Sequence, residues 1–163
     1  MMGALLRQAA APLDLPILVR TGGFGPGGKP PMQDAVVLLA NRGIDVAAHR
    51  STPLTDDVIT TADLILTAER EHVVSISARV SGSFDRTFTL PEFTNLGREY
   101  GRRKSEDVQS WLDALAAGRA RGLDYLSANI AEVDDPTGRP RAEWKRSFDE
   151  IDELVRLSAR LAV

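Results

Sequence analysis

The sequence predicts an α/β fold: a three-layer α/β/α arrangement around a small parallel sheet. Two observations carry this. Short apolar, β-branched runs recur at Leu15 to Thr21, Asp63 to Thr67 and Arg86 to Leu90, and each is followed by a segment of helical pattern. Strands that alternate with helices pair in parallel and are covered by those helices on both faces. A third observation concerns extent: no repeat, linker or low-complexity tract divides the 163 residues, so residues 1–163 read as one domain.

The elements follow in order. MMGALLRQAAAP is helix-forming in composition and stops at Pro12, but no N-cap residue leads it in. LPILVRT (Leu15 to Thr21) ends in glycines, as a buried strand does. Beyond the loop GGFGPGGK, the segment PPMQDAVVLLANRG predicts a helix. Pro31 lies near its start, Val36, Leu38, Leu39 and Ala40 form its apolar side, and Gly43 stops it. Thr55 is placed to cap a short helix, DLILT (Asp63 to Thr67) reads as a strand, and a second helix opens from Glu69. RTFTL (Arg86 to Leu90) is another brief strand, and PEFTNLG a helical turn after it. Residues 97–129 are polar, charged and mostly helical in pattern, with Trp111, Leu112, Leu115, Leu123 and Leu126 as anchors; they read as a helical insertion. In the terminal helix, from about Arg141, Trp144, Phe148, Ile151, Leu154, Val155 and Leu161 recur near helical spacing and form one wide apolar stripe.

Composition sets bounds on function. A net charge of −3 lacks the basic excess that draws nucleic acid through its phosphates, so no nucleic-acid partner is expected. No apolar run approaches the roughly 20 residues that span a bilayer, and the first residues lack the pattern of a signal peptide. The expectation is a cytoplasmic chain with no membrane partner. With no cysteine, the polypeptide holds no disulfide, thiolate metal site or cysteine nucleophile.

Two glycine motifs overlap in GGFGPGGK. Gly23, Gly25 and Gly28 satisfy G-x-G-x-x-G between a strand and a helix, but a dinucleotide site needs the helix to start within the glycines, and Lys29, Pro30 and Pro31 intervene. Gly23 to Lys29 also satisfies G-x-x-x-x-G-K, yet Pro30 stands where a phosphate loop needs a hydroxyl for magnesium. A surface loop is the better reading.

AEVDDPTGRP (Ala131 to Pro140) places an acidic residue before a proline, in a turn, ahead of the terminal helix. Such a carboxyl suits a general acid, and a turn residue of no chemical role fits the same letters. Ser51, Thr52 and Ser83 offer hydroxyls, but without an adjacent base each is expected to cap or to face solvent. His49 fits a loop edge, and His72, beside Arg70 and Glu71, an exposed helix surface.

Four segments, in order, resemble the low-molecular-weight protein tyrosine phosphatase family, whose relatives include some arsenate reductases. They are GIDVAAHRSTPLT (Gly43 to Thr55), ADLILTAEREHV (Ala62 to Val73), TFTLPEF (Thr87 to Phe93) and VDDPTG (Val133 to Gly138). GALLR (Gly3 to Arg7) is similar to the helix after that family's phosphate loop. The resemblance implies a four-stranded parallel sheet of order 2-1-3-4. It also implies phosphomonoester hydrolysis through a cysteinyl-phosphate, with no cofactor and no metal ion, acting on a phosphorylated protein or small phosphomonoester. In that scheme a thiolate in C-x-x-x-x-x-R attacks phosphorus and an aspartate in a D-P turn protonates the leaving oxygen. Asp135 matches that aspartate, and His49 matches a histidine of the hydrogen-bond network under the phosphate loop.

The departures are equally specific. The first strand, the cysteine and the phosphate-binding arginine belong ahead of MMGALLR, and Arg7 matches the helix after the loop rather than the loop. Thr137 and Gly138 follow the D-P pair where many members have an aromatic residue that lines the substrate slot. The expectation is an N-terminally shortened phosphatase, inactive as written, with an oligomeric state that the sequence does not indicate. One alternative is a non-catalytic pseudophosphatase that binds a partner, for instance through GREYGRRKSED (Gly97 to Asp107). An arsenate reductase relative would need cysteines that this chain lacks.

Overall fold

The computed structural model describes residues 1–13, 17–104 and 107–162. Its helices are α1 (Met2–Ala10), α2 (Gln33–Ala40), α3 (Asp56–Thr61), α4 (Arg70–Arg79), α5 (Leu90–Tyr100), α6 (Val108–Ala116), α7 (Leu123–Ser127) and α8 (Arg141–Leu161). Strands β1 (Ile65–Thr67) and β2 (Thr87–Thr89) precede α4 and α5. The fold is thus α/β, with parallel β-α units. The chain divides into two units, Met1–Thr55 with Asp135–Arg156, and Asp56–Asp134 with Leu157–Val163. Among the described residues no helix is long and apolar enough to cross a membrane.

In the first unit, α1 buries Leu5 and Ala10 and has no side-chain cap. Arg7, in its last turn, donates from Nη2 to the carbonyl of Val19 at 2.8 Å. Helix α2 buries Ala35, Leu38 and Leu39, while Val36 is half-buried and Ala40 exposed. Ala40 therefore lies off the predicted stripe, because a helix that starts at Gln33 brings 35, 38 and 39 to one face. Gly43 ends this helix at φ 72°, a conformation that costs glycine little. Along α8, Trp144, Phe148, Ile151 and Val155 are buried as the spacing predicts. The same helix carries Asp152, whose buried carboxylate accepts from Arg42 at 2.6 Å and from Arg156 one turn on.

One strand expectation fails. Leu15 and Pro16 lie outside the described residues, and Ile17 to Thr21 form no ladder, with Ile17 43% and Leu18 76% exposed. A strand persists only where a neighbour pairs its N–H and C=O groups, and here the side chain of Arg7 serves one carbonyl instead.

In the second unit, β1 and β2 pair in parallel, with Ile65, Leu66 and Thr67 opposite Thr87, Phe88 and Thr89. Both strands are shorter than predicted but sit within the predicted runs. Thr89 closes β2 and opens α5 with a capping box: its Oγ1 accepts from Glu92 N at 3.2 Å, and its own N–H donates to Glu92 Oε2 at 3.3 Å. PEFTNLG is accordingly part of the longer helix α5 rather than a single turn.

The segment predicted as a polar insertion supplies much of this unit's interior. Trp111, Leu112, Leu115 and Ala116 of α6 form one cluster with Phe88 and Phe93. Phe93 meets Phe88 and Trp111 edge-on, at centroid distances of 5.7 and 5.6 Å. Tyr125 packs with Val73 and Phe84 in a second cluster, whereas the predicted anchor Leu123 is 81% exposed. Helix α7 is too short to show a helical period, so its buried face could not be read from spacing.

Candidate functional site

The acid turn begins where β1 ends. Val133 N donates to the carbonyl of Ala68, just past β1, at 3.0 Å, and the carbonyl of Ala131 accepts from Thr89 Oγ1 at 2.7 Å. Glu132, between them, accepts from the backbone N of Arg70 at 2.5 Å and lies 3.0 Å from its Nε. The segment leading to Asp135 is therefore fastened at the carboxyl ends of both strands, where open parallel sheets place their chemistry.

Asp135 itself is exposed, and its Oδ1 accepts from Thr137 N at 2.9 Å. This local bond across two residues is the mechanism by which aspartate nucleates a turn. Among the described residues Oδ2 carries no hydrogen bond. Pro136 is buried beneath the turn, its carbonyl accepts from Arg139 N at 2.9 Å, and Gly138 takes the positive φ of 77° that the reversal requires. Asp134 is exposed as well. Thr137 Oγ1 reaches Met32 Sδ at 3.6 Å, which brings the start of α2 beside the acid turn. Sequence reasoning missed that neighbour, since a methionine at a helix start carries no signal of its own.

His49 lies exposed in the loop after α2. Its N–H donates to Val46 O at 3.0 Å, and its carbonyl accepts from Arg50 Nη1 at 2.7 Å. No hydrogen bond joins it to Asp135. His72 is half-buried on α4 rather than exposed.

The glycine loop is backbone scaffolding. Gly23 N donates to Thr52 O, Gly28 N to Ser51 O and Lys29 N to Ser51 Oγ, so amides that would serve a phosphate are already paired. A Cβ on Gly27 would stand 2.7 Å from Pro53 Cδ, and this close approach explains that glycine. Helix α2 starts only at Gln33, beyond the prolines. Neither nucleotide motif therefore has the geometry it needs. Ser51 and Ser83 direct their hydroxyls to backbone carbonyls, Pro26 and Val80 respectively, as non-catalytic hydroxyls do.

Parallel β-α units define the class as an α/β protein. The chain belongs to the low molecular weight phosphotyrosine protein phosphatase family, whose family model matches residues 1–107. A probable low molecular weight protein-tyrosine-phosphatase, EpsP of Ralstonia solanacearum, is 35% identical over 126 residues, covering 76% of this chain and 81% of that protein. The protein-arginine-phosphatase of Bacillus subtilis (strain 168) is 26% identical over 162 residues, covering 98% and 85%. Among solved structures, a crystal structure of a YwlE mutant from Bacillus subtilis matches at TM-score 0.68 with 26% identity, over 97% of this chain and 85% of that one.

Proposed function

We propose that this chain is the acid-bearing part of a phosphatase domain and that it hydrolyses no phosphomonoester as written. The observation that carries the reading is Asp135, held by its own Asx bond at the end of the fastened segment, in a family member with no cysteine. The reaction needs a thiolate that attacks phosphorus and an acid that protonates the oxygen as its bond to phosphorus breaks. Asp135 supplies that proton from Oδ2, then takes one from the water that attacks the cysteinyl-phosphate. His49 is proposed for the network under the phosphate. The run Ile17 to Thr21, which joins no ladder among the described residues, supports the proposal that the active form pairs it with a strand followed by a C-x-x-x-x-x-R loop. Residues 1–163 then belong to one phosphatase domain working in the cytoplasm.

The substrate class is a phosphorylated protein side chain. Thr137 and Gly138, both exposed, offer no aromatic wall for a phosphotyrosine ring. That favours a slot tolerant of phosphoarginine as a second reading, in line with the similarity to a protein-arginine-phosphatase.

The test compares p-nitrophenyl phosphate hydrolysis by this chain with that of a longer chain carrying the strand and cysteine loop. No turnover is expected from the first. In the second, Asp135→Asn should lower kcat by about 10²–10⁴-fold. Turnover by the 163-residue chain that is lost on Asp135→Ala would overturn the claim of inactivity, and an unchanged kcat for Asp135→Asn in the longer chain would remove the acid from the reading. Phosphotyrosine and phosphoarginine peptides, given to the longer chain, decide between the substrates.

A further inference from the structure

We propose that Arg70 is a positioning residue for the acid turn, acting through Glu132 and the backbone of residues 126–132; the functional part of this rests on the reading of Asp135 as the acid. Arg70 is the first residue of α4, shortly after the β1 end, and its backbone N, Nε and Nη1 are turned toward one segment. Its N–H donates to Glu132 Oε1 at 2.5 Å, and Nε forms an ion pair with Glu132 Oε2 at 3.0 Å without the alignment of a hydrogen bond. Nη1 donates to the carbonyls of Leu126 at 3.0 Å and Ala128 at 2.8 Å.

The convergence matters more than the ion pair. With 29% and 31% of the two side chains exposed, the pair alone would count for little. A guanidinium, however, has several donors in a fixed plane, and here they tie the end of α7 and the segment after it to the start of α4. The Ala131 and Val133 bonds complete the fastening, so only Asp134 separates the last tether from Asp135. A catalytic acid has to sit within hydrogen-bond reach of the leaving atom, and a short free span limits how far it can stray. Lysine cannot replace this arrangement, because a single ammonium does not reach two carbonyls and a carboxylate together.

The experiment is amide hydrogen exchange by NMR on this chain, with the Asp135 carboxyl ¹³C resonance as a second readout. In Arg70→Gln, exchange at Val133 and Thr137 should accelerate about tenfold and the Asp135 carboxyl shift should move, while β1, β2 and α5 amides keep their protection. Arg70→Lys should fail to restore the original values. Glu132→Gln, which keeps the carbonyl bonds and removes the ion pair, should give a smaller acceleration at the same two amides. Unchanged exchange at Val133 and Thr137 overturns the proposal, and so does a uniform increase across the second unit, which marks a role in general stability. If the tether holds but Asp135→Asn leaves turnover of the cysteine-bearing chain unchanged, the acid reading falls and the tether stands.

Discussion

Arg119 shows how much a single side chain can decide. Its guanidinium is 3% exposed and Glu92 5%, with Nε and Nη2 at 2.8 and 2.9 Å from the two carboxylate oxygens. Nη1 and Nη2 also donate to the carbonyls of Phe84 and Thr87, and the plane lies 4.3 and 4.2 Å from the Phe84 and Phe88 rings. Removing one partner of such a pair leaves a buried charge, so Arg119→Ala should cost about 3–5 kcal/mol in urea denaturation. Tyr125 donates to Glu92 Oε2 at 2.6 Å, and burial, then that bond and the carboxylate's charge, push its phenol well above the ordinary range. Its folded proton is therefore held more tightly than its unfolded one. The stabilisation is complete below the ordinary tyrosine pKa of about 10 and is lost as pH rises beyond it. The stability advantage of the wild type over Tyr125→Phe should be constant near neutral pH and shrink above about pH 10, as read from urea midpoints.

Among the elements, β2 and α5 are joined by one residue with three hydrogen bonds. Thr89 caps α5, donates the return bond from its N–H to the Glu92 carboxylate and holds Ala131. Thr89→Val keeps the shape and removes the hydroxyl, and should cost about 2 kcal/mol in thermal unfolding. Rescue of that loss by Thr89→Ser would assign it to the hydroxyl. Helix α6 has a different cap: Asp107 accepts from Ser110 N at 3.0 Å and from Ser110 Oγ at 2.5 Å, and these bonds draw its carboxyl below the ordinary range. This contribution is present above the ordinary aspartate range and fades as pH falls through the lowered value, so α6 amides should lose protection in acid more than those of the Asp107→Asn variant. Close approach shapes α5 as well, because a Cβ on Gly97 would lie 2.7 Å from Leu161 Cδ1.

At the scale of the molecule, backbone pairing is unevenly shared. The second unit has a sheet, two aromatic clusters and a satisfied buried ion pair. In the first unit, residues 20–30 are all exposed, and their backbone bonds run to residues 51–54 through an isolated bridge, Gly23 with Pro53, and the pairing of Gly28 and Lys29 with Ser51. Limited proteolysis should therefore cut first within residues 20–30, with cleavage sites read by mass spectrometry. A first cut within β1 or α5 would contradict this picture.

The fold class, the two strand positions and the stripe of α8 were legible because period and composition are local: a β-branched run between turn signals, and Trp144, Phe148, Ile151 and Val155 one turn apart, need no partner to be recognised. The same holds for the Asp-Pro turn, whose Asx bond spans two residues. The missing cysteine was also plain in the letters. Tertiary structure alone decided that, among the described residues, Ile17 to Thr21 join no ladder, that Tyr125 rather than Leu123 is buried, and that Met32 lies beside Thr137. It alone turned Arg70 and Arg119, two charged residues among many, into a tether and a buried clasp. The reason is physical: pairing and desolvation depend on groups far apart in the chain, and a charge shows its role only once its distant partner is in place.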